Sequence, residues 1–405
     1  MALPRASPPR DLTLPRRGST TVRALYSAAL REGMRVASGL TADHPAVASF
    51  RASALPALAR EPALFAAAMR QPSRLTLARC LAHAGDATPA QRAEWESELA
   101  AQLLVDVAEA GALDAPVVLD APPPVLFRER AAIAIVASGA ASWSVDRETL
   151  RFRGAGSAAN VPWSLDAHAA NAALAPVEGR AEVASVPLFG DVRLLLRDNN
   201  PLVTLEAHPD KAGNALDLGG HAADEWAAAI VAAHAVLREH LPEIADEMDL
   251  FLRHVGPVGY DESTHLSASY LEAAGVVYLS LHPHRMTLAE ALVHEFQHNK
   301  LNLLLATDPI LENGFAPLFA SPVRPDPRPL RGVLLAVHAF QPIARMYERM
   351  EESAHGPERA WLARRRSEVV ALCREGCDVL LPNARPTAIG APLLDEIAAL
   401  HAALT

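Results

Sequence analysis

The sequence predicts an α+β fold, mostly helical, with a small antiparallel sheet beside a metal-binding active-site helix. Three observations carry that reading. Alanine- and leucine-rich segments with helical spacing occupy both ends of the chain. Between about residues 116 and 204, short β-branched runs are broken by prolines and glycines. One helical segment near residue 295 places histidines and a carboxylate at the spacing of a metal site.

Composition sets the outer bounds. The 405 residues suffice for two or three domains and a large core. Half are hydrophobic and 21% are charged, as in an ordinary globular protein. A net charge of −10 leaves no basic excess to neutralise phosphates, so nucleic acid is not expected as a partner. Cys80, Cys373 and Cys377 make no disulfide framework, and the last two, four apart on a helical pattern, read as one core face. The first 20 residues hold arginines and prolines without the apolar run of a secretory signal. No uncharged apolar stretch of about 18 residues suggests a membrane span. A cytoplasmic protein with no membrane partner is the expectation.

Residues 1–20 read as a disordered, proline-rich tail. Residues 21–115 follow as a helical module, with segments Val22–Glu32, Ser53–Arg70 and Pro89–Glu109. Residues 116–245 form a mixed α/β region. Its β-like runs are Pro116–Leu119, Ala131–Val136, Thr149–Arg153, Arg180–Leu188 and Val192–Arg197, followed by a turn at Asp198–Pro201 and an amphipathic helix at Ala223–His240. Residues 246–405 are the metal-binding catalytic region. In it, Phe251–Val255 and Ala274–Leu281 read as strands leading to the metal helix.

That helix carries His294-Glu295-x-x-His298. Thr287 and Glu290 have capping-box spacing and predict a start at Leu288, while Asp308-Pro309 stops the helix. Histidines four apart lie one above the other on one face, where both imidazoles can grip one cation. Glu295 sits about 100° round and can reach a water on the metal or orient a ligand. An open site needs a third ligand. His338, on the edge of an apolar stripe over Leu330–Glu352, is the candidate, with Glu312 as rival and Glu295 itself a further possibility. Pro342 predicts a kink or break in that helix. His265, His282, His284 and His401 read as surface or capping residues. Lys300, one of only two lysines, lies about 220° round from the metal face and reads as a structural partner of a neighbouring segment. Between these helices, Ser321–Arg331 alternates prolines with arginines, a stiff segment suited to gripping an anion.

Three features together resemble one family. They are His294-Glu-Phe-Gln-His-x-Lys-Leu301, the segment ending Asp326-Pro-Arg-Pro-Leu330, and Gly332-Val-Leu-Leu-Ala-Val-His-Ala-Phe340. This pattern, over about Ser267 to Glu352, is similar to the HExxH-motif peptide-modification proteins found beside ribosomally made peptide precursors. The resemblance implies an iron(II)- and α-ketoglutarate-dependent dioxygenase that hydroxylates a β-carbon of a precursor peptide, with O2 as oxidant. It makes His294 and His298 iron ligands, with His338 at a position where the family carries histidine or tyrosine. Arg328 and Arg324 become candidates for the far carboxylate of α-ketoglutarate.

Two other readings stand beside it. In a zincin-like, zinc-dependent metallopeptidase, Glu295 would be the general base, although no usual third-ligand motif follows His298. In a non-catalytic peptide-binding protein the metal would be structural, a role that four protein ligands usually fill.

Overall fold

The computed structural model describes residues 10–83, 85–120, 122–203, 213–321 and 326–404. The chain divides into two compact units: Met1–Ser27, Leu188–Val192 and Asp217–Thr405 in one, Ala28–Pro187 and Arg193–Leu216 in the other. Both mix helices with small sheets, and helix predominates over the chain, as expected.

The second unit follows from the tail of α1 (Thr21–Ser38). Next come α2 (Pro45–Ser49), α3 (Leu55–Arg60), α4 (Pro62–Met69), α5 (Pro72–His83) and α6 (Pro89–Glu109). Proline sits in the first turn of each of α2, α4, α5 and α6, where its missing N–H has no partner to lose. Thr88 closes a capping box with Gln91 at the start of α6. Seven antiparallel strands follow. β1 (Val117–Asp120), β4 (Ser142–Val145), β5 (Thr149–Arg153) and β6 (Ala158–Pro162) form one sheet in that order. β2 (Leu126–Arg128), β3 (Ile133–Val136) and β7 (Arg180–Val183) form another, and α7 (Ala167–Leu174) lies between β6 and β7 in sequence. β1, β3, β5 and β7 fall on expected runs. The unit's core joins Leu99 and Leu103 of α6 with Trp143, Leu150 and Phe152 of the larger sheet. β8 (Ser185–Phe189) and β9 (Val192–Leu195) then pair as a hairpin.

The first unit holds α8 (Ala223–His240), α9 (Pro242–Phe251), β10 (His254–Tyr260), β11 (Ser267–Ala268) and β12 (Val276–Leu281). After these come α10 (Arg285–Leu305), β13 (Leu318–Phe319), β14 (Arg328–Pro329), α11 (Leu330–Ser353), α12 (Gly356–Asn383) and α13 (Ala391–Leu404). The strands beside α10 correct the antiparallel expectation. β10 and β12 run parallel, from His254 opposite Val276, and only β11 runs antiparallel to β12. β12 is buried at every position, which is why its sequence shows no alternation. α11 runs on through Pro342 without a break.

The N-terminal segment corrects a second expectation. Leu12 and Thr13 are fully buried, not part of a solvated tail. The Glu396 carboxylate on α13 accepts the backbone N–H groups of Leu12, Thr13 and Leu14 at 2.9, 2.9 and 3.0 Å. A carboxylate with three backbone donors replaces the water those amides would otherwise bind. Residues 1–9 lie outside the described residues.

Candidate metal centre

α10 is buried on nearly every side, so its register is set by polar partners as well as apolar packing. Asn299 accepts the Gly275 N–H at 2.8 Å and donates to the Val276 carbonyl at 2.7 Å, stapling the helix to the start of β12. Gly275 has φ +84, and a Cβ there would stand 2.9 Å from the Phe251 carbonyl, so only glycine fits the approach. Lys300, fully buried, reaches Glu247 of α9 at 2.6 Å, the structural pairing expected of it. Gln297 donates to the carbonyls of Thr13 at 2.7 Å and His338 at 3.2 Å.

The helix begins at Arg285, earlier than the predicted Leu288, and no capping box forms at Thr287. Its intended partner, Glu290, is occupied elsewhere. Arg365 of α12 grips the Glu290 carboxylate at both oxygens, 2.8 and 2.7 Å, and the Tyr347 hydroxyl donates to it. A bidentate bond to a guanidinium outweighs a single bond to one backbone N–H, so the side chain turns to α12.

On this frame His294, Glu295 and His298 come together, with one ligand atom from each within 4.8 Å of the others. The imidazole centroids stand 4.4 Å apart, and Phe340 packs edge-on against His294 at 5.0 Å. Both histidines are half-buried and Glu295 is 3% exposed. Burial lowers the pKa of His294 and pushes that of His298 well down, the latter also by its histidine neighbours. The neutral imidazole that results is the form that ligates a metal. The Ser267 hydroxyl on β11 donates to Glu295 Oε1 at 2.6 Å, while the buried Oε2 has no hydrogen-bond partner. His298 Nδ1 is likewise buried without one. Orphaned acceptors of this kind fit a cation, which would satisfy what the protein does not.

The structure does not bring the other predicted ligands to this group. Among the described residues no third histidine joins it. His338 is fully buried on α11 near Leu12 and Lys300, and burial pushes its pKa well down. It lies outside the group whose ligand atoms stand within 4.8 Å of one another, although it is close enough to His298 for its charge to lower that pKa. Glu312 is exposed in the loop after α10, its backbone N–H bonded to the Arg385 carbonyl. Arg328 is half-buried on β14, and its ionic partner is Asp326 at 3.0 Å. Arg324 lies outside the described residues. Cys373 and Cys377 are buried on α12, their thiols pushed up to about 12 by burial, and they belong to the core face of that helix.

Sequence reasoning missed Ser267, Glu290 with its Arg365 and Tyr347 partners, and the Thr13–Gln297–Glu396 connection. Glu290 was legible in part, since it lies four residues before His294 on the same face. Ser267 and Glu396 carry no local signal.

No family model matches the chain, and no curated protein matches it.

No helix among the described residues is long and apolar enough to cross a membrane.

Proposed function

We propose that this chain is an iron(II)- and α-ketoglutarate-dependent oxygenase acting on a β-carbon of a ribosomally made peptide. One observation carries the reading. Two imidazoles and one carboxylate, from His294, His298 and Glu295, offer ligand atoms within 4.8 Å of one another. Among the described residues no further histidine, cysteine or carboxylate completes a closed set. Two histidines, one carboxylate and open positions are the donor set that suits non-haem iron(II), whereas a structural metal would be closed by four protein ligands. Bound iron(II) with α-ketoglutarate couples decarboxylation of the keto acid by O2 to C–H hydroxylation, leaving succinate and CO2. The protein's part is to hold and orient. His294 and His298 are kept neutral by burial, Ser267 fixes the Glu295 carboxylate, and Phe340 walls the site on the His294 side. Arg328, whose guanidinium is only part-neutralised by an exposed Asp326, is the residue we assign to the far carboxylate of the co-substrate.

A second reading has its own observation. Glu295 keeps one oxygen tied to Ser267 and the other bare, which also suits a general base in a zinc peptidase. Glu295→Gln separates the two. As an iron ligand, its loss weakens metal binding by roughly ten- to a hundredfold or more. As a base, its loss leaves the metal bound and abolishes hydrolysis. The test is an anaerobic titration of metal-stripped protein with iron(II), then α-ketoglutarate. A visible charge-transfer band that needs both, and that is lost in His294→Ala and weakened in Arg328→Ala, supports the oxygenase. Retained zinc with Glu295-dependent peptide cleavage overturns it.

A further inference from the structure

The second unit carries a groove of about 390 Å³ bounded by the start of α2, by α6 and by the chain leaving β1. Its floor is apolar, with Trp143 only 2% exposed beneath it, and Pro122–Pro124 form one wall. Four carboxylates line it: Asp43, Glu94, Asp120 and Glu98. The first three are exposed and Glu98 is half-buried. No lysine or arginine lines the groove, and none of the four takes part in an ion pair among the described residues. Glu98 accepts a hydrogen bond from the Asn199 amide at 2.8 Å, a neutral partner, and the cation acting on it, Arg74, is already paired with Asp106 and Glu129. Burial raises its pKa to about 7, with the Glu94 and Asp198 charges adding and Asn199 and Arg74 offsetting it only in part.

We propose that this groove docks a peptide segment bearing an arginine or lysine beside an apolar residue. Charge complementarity selects the occupant. A basic side chain would neutralise the carboxylates, and its apolar neighbour would pack on the Pro122–Pro124 wall. A metal ion is the poorer fit, because no three of these carboxylates gather at coordination distance; the His294 group is the one such cluster among the described residues. The volume takes side chains from a short extended stretch and is too small for a folded domain. This assignment stands apart from the metal reading and does not depend on it.

The test uses the full chain and fluorescence anisotropy with two labelled short peptides. One alternates arginine, leucine and serine, and the other replaces each arginine with glutamine, both at about 50 mM salt so that charges are not screened out. The arginine peptide is expected to bind about tenfold more tightly or better. Glu94→Gln with Glu98→Gln should lose about tenfold, and so should Asp43→Asn with Asp120→Asn, a pair at exposed positions that leaves the core untouched. Glu352→Gln with Asp395→Asn, which changes net charge equally at exposed positions of the other unit, should keep full affinity. Equal binding of the glutamine peptide, full affinity in the groove variants, or equal loss in the control pair would each overturn the proposal.

Discussion

Replacing Lys300 by methionine removes the cation that ties α10 to α9. Lys300 is fully buried and meets Glu247 at 2.6 Å, with Asp11 and Glu396 also acting on the Glu247 carboxyl. Burial already raises the Glu247 pKa in spite of the lysine. Without the lysine a buried carboxylate is left among two further acids. Breaking a buried pair by removing one partner costs about 3–5 kcal/mol. For a unit of this size that is a drop of roughly 6–20 °C in Tm. The sign with pH follows from the direction of the shift. A carboxyl whose folded pKa is raised contributes stability below its unfolded pKa and loses it as pH rises through the folded value. The variant should therefore be least impaired at acid pH and lose stability steeply as pH rises, whereas wild type changes less. Lys300→Met with Glu247→Leu removes both charges and should recover most of the loss. The assay is urea unfolding followed by circular dichroism at pH 5 and pH 8, fitted for two units. A double variant as unstable as the single, or a pH-independent single variant, would refute the account.

Other consequences are as direct. Glu396→Ala leaves three backbone amides of Leu12–Leu14 without an acceptor and should cost about 2–3 kcal/mol, read as lost hydrogen-exchange protection at those residues. Glu98 binds its proton more tightly folded than unfolded, so stability of the second unit should fall by about 2 kcal/mol as pH rises from the ordinary carboxyl range to about 7, a figure reduced for its partial exposure. Glu98→Gln should flatten that slope. Ser267→Ala frees one Glu295 oxygen and should weaken metal affinity by roughly tenfold with little change in unfolding, checked by cobalt(II) titration; an unchanged cobalt spectrum would leave Ser267 without a positioning role.

The helix α8 and the strands at Thr149–Arg153 and Val276–Leu281 were legible because periodicity and β-branching are local properties. The strands at Ser142–Val145 and Ala158–Pro162 were missed, since each has only two inward-facing residues, too short a run to stand out without its pairing to Thr149–Arg153. The parallel β10–β12 pair escaped for a related reason. Strand direction is decided by the connection between strands, which no pattern within either one records.

For the site, the sequence by itself determined the placement of His294, Glu295 and His298. Four residues of helix put two imidazoles on one face whatever surrounds them. The structural use of Lys300 also followed from its angle round the helix. Only the tertiary structure decided the rest. Which way His338 points depends on how α11 rolls against α10, and Phe340 takes the position facing His294. Whether residues 10–20 are tail or core depends on Glu396, more than 380 residues away. A helix fixes the angles between its own side chains, but the phase in which two helices meet is set by packing and by buried polar partners drawn from the whole chain.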